Sequence, residues 1–303
     1  GIKRGDEVIT QSFNFIATIE AIVDIGAKPI MVNVNNSLNM DPVDLKKRIT
    51  KKTKAVIPVH MLGFSCQMNE IKKICKKKRI PILEDNCESI GGKYGKNFLG
   101  SIGDIGVLSL DHGKIITSGE GGVILTNKLA LDKYCREYHD HGHENNPKFS
   151  RGNDTKKIYG FNYRMTEIQA AIGNEQLKKL NFIISENKKR FEILKKEIKK
   201  KFSLRELPNN STPNYDTFIF FVKNIKKRKK ILNILNNRKF GTKNLPDAIK
   251  WHCSYYWGHA INKYEKNRSL KTKNILTNAI AIPILFKKSL LDYRKITKEI
   301  STI

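Results

Sequence analysis

The sequence predicts an α/β protein built on a mostly parallel sheet, followed by a smaller α+β unit. Two observations carry that expectation. Short apolar runs alternate with helical patterns through the first half, the signature of an open sheet with much parallel pairing. After Pro208-Asn209-Asn210-Ser211 the texture changes, with strand-like runs flanking a basic amphipathic stretch. Strands are expected at 7–10, 29–32, 55–59, 80–83, 106–110 and 123–126. Helices are expected between them at 18–25, 42–48 and 67–78. Residues 162–201 read mostly as one long helix, in which Phe191, Leu194, Ile198 and Phe202 recur at helical spacing with lysines between. A strand at 216–222, a helix at 228–237 and a strand at 279–284 complete the pattern. The expected division is a large domain over residues 1–205, ending in the long helix, and a small domain over 206–303.

The chain has 303 residues, enough for one or two domains with a sizeable core. Lys and Arg total 57 against 29 Asp and Glu, a formal charge of +28. The basic residues are scattered, many on polar helix faces, and form neither a helix-turn-helix nor a basic stripe, so no nucleic-acid partner is expected. A positive field does attract phosphorylated substrates. No apolar run reaches the ~18 residues of a membrane span, and no signal-peptide pattern opens the chain. Five cysteines without a C-x-x-C pair fit a reducing cytoplasm, the expected location.

Chemistry concentrates at two anchors. Glu84-Asp85 ends the apolar run Ile80-Pro81-Ile82-Leu83, and Lys114 precedes the turn Gly119-Glu120-Gly121-Gly122. A carboxylate after one strand and a lysine before a glycine turn are what a pyridoxal phosphate (PLP) site needs. The lysine forms a Schiff base and the carboxylate keeps the pyridine nitrogen protonated. Open α/β sheets bind ligands beyond the carboxyl ends of their strands, where both anchors fall.

Three blocks extend the pattern. They are Leu83-Glu84-Asp85-Asn86-Cys87-Glu88-Ser89-Ile90-Gly91, then Gly103-Asp104-Ile105-Gly106 with Ser109 and Lys114, then Gly160-Phe161-Asn162-Tyr163-Arg164-Met165-Thr166-Glu167. Together they resemble the DegT/StrS type of sugar-nucleotide aminotransferases, from Gly5-Asp6-Glu7 to near the C-terminus. The resemblance implies the type I (aspartate aminotransferase-like) PLP fold. It implies Lys114 as Schiff-base lysine and proton shuttle, Asp85 at the pyridine nitrogen, Ser109 at the cofactor phosphate and Phe15 stacked on the ring. Asn162 is implied to reach the cofactor of a partner subunit, which means a homodimer with composite sites. Glu88 stands where most members carry Gln against the phenolic oxygen; a carboxylate there repels a phenolate unless one group is protonated.

His60, in Pro58-Val59-His60-Met61-Leu62-Gly63, resembles a loop bordering the substrate, with a structural hydrogen bond as the competing role. Arg164 suits a donor carboxylate or, equally, a structural ion pair. His139, His141 and His143 alternate, but Gly142 and Asn145-Asn146-Pro147 make the segment a loop, and no metal is expected. Gly119 to Gly122 lacks the Lys-Ser continuation of a phosphate loop and reads as a tight reversal. The block from Lys250 to Trp257 fits either an acceptor pocket or core.

The leading functional expectation is amino transfer, with glutamate as donor, to a keto group of a nucleotide-linked deoxysugar for surface-polysaccharide synthesis. Amination of a smaller phosphorylated ketone is the nearer alternative. Related PLP-dependent dehydratases replace the lysine with histidine; Lys114 is present, and His112 is not at that position. Family members carry several dozen residues before the stretch matching Gly5-Asp6-Glu7, including a helix whose Gly-Thr N-terminus binds the cofactor phosphate. The chain is accordingly expected to be a fragment or a 5′-truncated product, with impaired catalysis as the non-enzymatic alternative.

Overall fold

The computed structural model describes residues 1–150, 152–154 and 158–303. Strands β1 (Glu7–Gln11), β2 (Lys28–Val32) and β3 (Thr53–Ile57) pair in parallel in the order β2-β1-β3. Beyond β4 (Leu83–Asp85) come a small hairpin, β5 (Lys93–Tyr94) and β6 (Asn97–Phe98), and then β7 (Ile105–Ser109) and β8 (Gly122–Leu125). β4 runs parallel to β7, and β8 is antiparallel to it. Bridges Val56–Ile82 and Val59–Asp85 join the two triplets into one mostly parallel sheet.

The strand expected at 80–83 starts later, at Leu83. Pro81 has no N–H to give a ladder; its carbonyl accepts from Val56 N at 3.1 Å, while Ile82 N donates to Asp104 Oδ2 at 2.7 Å. Side-chain polarity therefore located the run, and backbone chemistry moved the strand toward Asp85.

Helices α1 (Ala17–Asp24), α2 (Pro42–Arg48) and α3 (Met68–Lys78) connect the first strands. α2 starts where Asp41 accepts from Val43 N and Pro42 fills the first turn. α3 stops at Arg79, which adopts a left-handed conformation. Alternate residues of each strand face opposite sides. Val8, Ala55 and Ile57 join one core cluster; Ile9, Val32 and Val56 join the other, under α2 and α3 with Leu45, Met68, Ile71 and Cys75. Each buried Val, Ile, Leu or Met among them contributes about 1.5–3 kcal/mol by leaving water.

α4 (Leu129–His139) precedes α5 (Glu167–Ile198), 32 residues long, which opens with a reciprocal capping box between Thr166 and Gln169. The C-terminal half of α5 buries Phe191, Leu194 and Ile198; its N-terminal half exposes Ile168, Ile172 and Leu177. β9 (Ser203–Leu204) and β10 (Ser211–Thr212) follow, the latter returning to pair with β5. β11 (Thr217–Phe221), α6 (Ile225–Asn237), α7 (Ile249–His252), α8 (Lys263–Arg268), α9 (Leu270–Leu276), β12 (Ala279–Pro283) and α10 (Leu290–Ser301) complete the chain. Their antiparallel sheet, β12-β11-β9, packs Phe218, Phe220, Ile280 and Ile282 against α5, α6 and α10. Its opposite face contributes Ile219, Ala279 and Ala281 to the core of the larger sheet. Polar links reinforce that joint: Glu265 accepts from Met31 N at 2.8 Å, and Thr272 N donates to Asn33 Oδ1 at 3.1 Å. Among the described residues, no helix is long and apolar enough to cross a membrane.

Candidate active site

The carboxyl ends of β1, β4 and β7 deliver the candidate residues to one edge of the sheet. After β1 the chain passes Asn14, whose Oδ1 accepts from Phe15 N at 2.7 Å, and turns into α1. Thr18, in the first turn of α1, donates from Oγ1 to Asp85 Oδ2 at 2.7 Å, and Cys87 N donates to Oδ1 at 3.2 Å. Asp85 is thus aimed by two donors from different segments. The Phe15 ring stays 47% exposed beside the sheet edge, 5.7 Å from the His252 ring.

Lys114 sits in the loop between β7 and β8. Leu110 clamps the base of that loop: its N–H donates to Gly121 O and its carbonyl accepts from Ser118 N, at 2.9 and 3.0 Å. Gly119, at φ +87°, makes the reversal. Ile116 is buried and anchors the loop, so Lys114 points inward to Glu88 Oε1 at 3.3 Å. Ser109 lies at the end of β7, where its Oγ accepts from Asp111 N at 3.2 Å.

Glu88 is the electrostatic centre. Its Oε2 is buried with no hydrogen-bond partner among the described residues. Burial works against its charge, but Lys243 and Lys114 outweigh burial and hold the carboxyl below its ordinary pKa. Lys243 is ion-paired with Asp216. His252 donates from Nδ1 to Ala248 O at 2.9 Å, and burial pushes its pKa down. Lys114, Lys179, Asn187, Asp216, Lys243 and Phe286 line one pocket of about 510 Å³.

The structure corrects one expectation and specifies others. His60 borders no open space. It is wholly buried, its Nε2 bonds to Glu84 Oε2 at 2.9 Å, and its Nδ1 accepts from Cys66 N at 3.1 Å. Both ring nitrogens are therefore engaged by the protein, and the side chain supports the sheet edge instead of meeting substrate. Arg164 pairs with Asp140, the structural alternative for that residue. Asn162 is exposed and bridges the backbone of Asp140. His139 and His143 do not converge: one bonds Arg136 O, the other Asp154 at 3.0 Å. In the 250–257 block, Cys253 and Trp257 are core, while His252 faces the site.

Sequence reasoning missed Lys243, Asp216, Asn187 and Thr18. Lys243 is one of 57 basic residues, with no local signal to single it out. Thr18 alone had one, at the first turn of a helix after a strand. Glu84 was noticed only as the neighbour of Asp85. It is fully buried and accepts from His60 and from the amides of Gly100, Ile102 and Gly103, at 2.9, 3.0, 2.5 and 2.5 Å.

An open, mostly parallel sheet with a lysine and two carboxylates at its carboxyl edge defines a type I α/β enzyme architecture. The chain belongs to the DegT/DnrJ/EryC1/StrS aminotransferase family, whose model matches residues 1–301. The fold is the aspartate aminotransferase-like one, as in an aminotransferase from Psychrobacter cryohalolentis. That structure superposes with a TM-score of 0.85 at 26% identity, covering 99% of this chain and 82% of the other. Similar curated proteins include GDP-perosamine synthase of Escherichia coli O157:H7, 32% identical over 80% of this chain and 66% of its own length. GDP-perosamine synthase of Caulobacter vibrioides is 39% identical over 60% of this chain and 48% of its own length. The chain therefore spans between about half and two thirds of the curated relatives it matches.

Proposed function

We propose that this chain carries the PLP site of an aminotransferase acting on a keto group of a nucleotide-linked sugar, with glutamate as amino donor. The observation that carries the reading is the convergence of Asp85, Glu88 and Lys114 at one sheet edge, with Lys114 meeting Glu88 at 3.3 Å. The residues present fit the cofactor. Asp85 is a carboxylate fixed by two donors, Lys114 is an inward-facing amine, and Glu88 Oε2 is a buried acceptor that a ligand hydroxyl would satisfy.

PLP, when bound, supplies an aldehyde for an amine and a ring that withdraws electrons from the adjacent carbon. Asp85 would hold the proton on the ring nitrogen. Lys114 Nζ would accept and return the proton that moves between donor carbon and cofactor carbon. Ser109 would contribute a hydroxyl to the phosphate, and Phe15 would cover one ring face. A lysine at position 114 favours transamination over dehydration. The resemblance to perosamine synthases supports a nucleotide-linked substrate.

The homodimer belongs to the same proposal. Around Asn162, the side chains of Tyr134, Phe161, Tyr163 and Ile168 are 52%, 53%, 65% and 75% exposed, an apolar patch of the kind that a second copy covers. Burying it would bring Asn162 toward the neighbouring sheet edge.

The test is the absorption spectrum of the chain mixed with PLP, then borohydride reduction and peptide mapping. A visible band with label on Lys114, absent in Lys114→Ala, is expected. A folded chain that shows no band and takes no label would refute the reading.

A further inference from the structure

One cluster of metal-ligating side chains takes no part in amino transfer. Asp111 and His112 stand just before Lys114 on the loop between β7 and β8, and Glu120 stands on the other flank, after the reversal at Gly119. One ligand atom from each of the three lies within 4.8 Å of the other two. His112 Nδ1 is 2.9 Å from Asp111 Oδ1. Among the described residues, neither carboxylate makes an ion pair with lysine or arginine, although the chain holds 57 basic residues against 29 acidic ones. Two carboxylates this close repel each other unless a cation or a proton joins them. The cluster is also partly set in place. Asp111 Oδ2 accepts from Gly113 N at 2.9 Å, and Asp111 N donates to Ser109 Oγ at 3.2 Å. The Glu120 carbonyl accepts from Ser118 Oγ at 2.8 Å and from Gln169 Nε2 at 3.1 Å. The His112 ring is 84% exposed and Glu120 is exposed, so both side chains can rotate toward Asp111.

We propose that Asp111, His112 and Glu120 bind a divalent transition-metal ion, with zinc the best suited, and that the ion staples the two flanks of the loop presenting Lys114. One imidazole and two carboxylates are borderline-to-hard donors, which suit zinc, cobalt or manganese better than an all-oxygen cation such as magnesium. Ligands about 2.0–2.2 Å from a shared ion sit about 3.5 Å apart in tetrahedral geometry, so side-chain movement of about an ångström closes the set. Three protein ligands leave a position for water, which suits a site at the surface. The ion would join residues on both sides of Lys114, and so restrict the segment that carries the amine.

The experiment uses the full chain before PLP is added, because PLP itself chelates transition ions. Wild type, His112→Ala and Glu120→Gln are titrated with zinc by calorimetry and with cobalt by absorption, and amide exchange over residues 111–120 is followed with and without zinc. Both substitutions are at exposed positions, where stability changes little. One zinc per chain is expected in the wild type. Each variant is expected to lose affinity by at least the ~10–100-fold that loss of an outer-shell partner costs. The cobalt spectrum should lack a thiolate charge-transfer band, which separates this site from the five cysteines. Exchange of the loop amides should slow in the wild type alone. Absent zinc binding, variants that bind as the wild type does, or a thiolate band that carries the binding would overturn the site. Zinc bound with unchanged loop exchange would overturn the stapling. None of these readouts depends on PLP, so the functional reading stands or falls separately.

Discussion

Replacing Glu84 should unfasten the sheet edge that carries Asp85. The Glu84 carboxylate is fully buried and accepts from the His60 ring and three backbone amides of the 100–103 loop. In Glu84→Ala those amides lose a charged acceptor, and His60 Nε2 is left facing a void. Removing one partner of a buried, hydrogen-bonded ionic cluster costs about 3–5 kcal/mol. Each orphaned amide alone costs about 1–3 kcal/mol, partly recovered where water enters. Glu84→Gln keeps the shape but sets an NH₂ against donors, so about 2–3 kcal/mol is expected. Against a total stability of about 5–15 kcal/mol, the alanine variant is marginal. The assay is urea unfolding followed by fluorescence, with an unchanged m-value and a lowered midpoint. A pH series sharpens it. Burial pushes the Glu84 pKa up, but the His60 ring and the amides outweigh burial and hold it below the ordinary value of 4.5. A depressed carboxylate contributes stability that is fully present above about pH 4.5 and lost as pH falls through the folded-state value. Wild-type stability should therefore drop in that acid window, and Glu84→Gln should show a shallower drop. A loss under about 1 kcal/mol for Glu84→Ala would refute the reasoning, because it would mean that water replaces the carboxylate at no cost.

Three further outcomes are expected. Asp85→Asn should retain the fold but lose about a hundredfold or more in turnover, about 2.7 kcal/mol, because an amide does not hold the ring proton; steady-state kinetics with PLP in excess checks this. Gly106→Ala should destabilise the chain by about 1–3 kcal/mol or more, since a Cβ there would lie 1.9 Å from Gly100 O in the loop that Glu84 holds; thermal unfolding reads it. Ile168→Asp combined with Phe161→Asp should shift sedimentation toward monomer and weaken PLP retention together; retention unchanged in a monomer would rule out a composite site.

Local chemistry made much of this protein readable. The alternation of strand and helix patterns, the glycine turn at 119–122 and the order of Asp85, Ser109 and Lys114 are written along the chain, each with a short-range cause. The strand at Leu83 was displaced from its predicted place because hydrophobicity marks burial, whereas a ladder also needs an N–H that Pro81 lacks. For His60 the sequence left a substrate-bordering and a structural role open, because it gives the loop but not the direction; Glu84 and the Cys66 amide turn the ring inward and decide for the structural one.

By itself, the sequence determined the α/β alternation, the lysine and the carboxylates, because strand period, helix period and motif spacing are written along the chain. Only the tertiary structure decided what surrounds them. Asn187, Asp216 and Lys243 come from the middle of α5, the lead-in to β11 and the segment after α6, and share no spacing. They line one pocket with Lys114 because the antiparallel C-terminal sheet packs against the parallel one. Charges tens of residues apart interact by distance in space, which the order of residues does not encode.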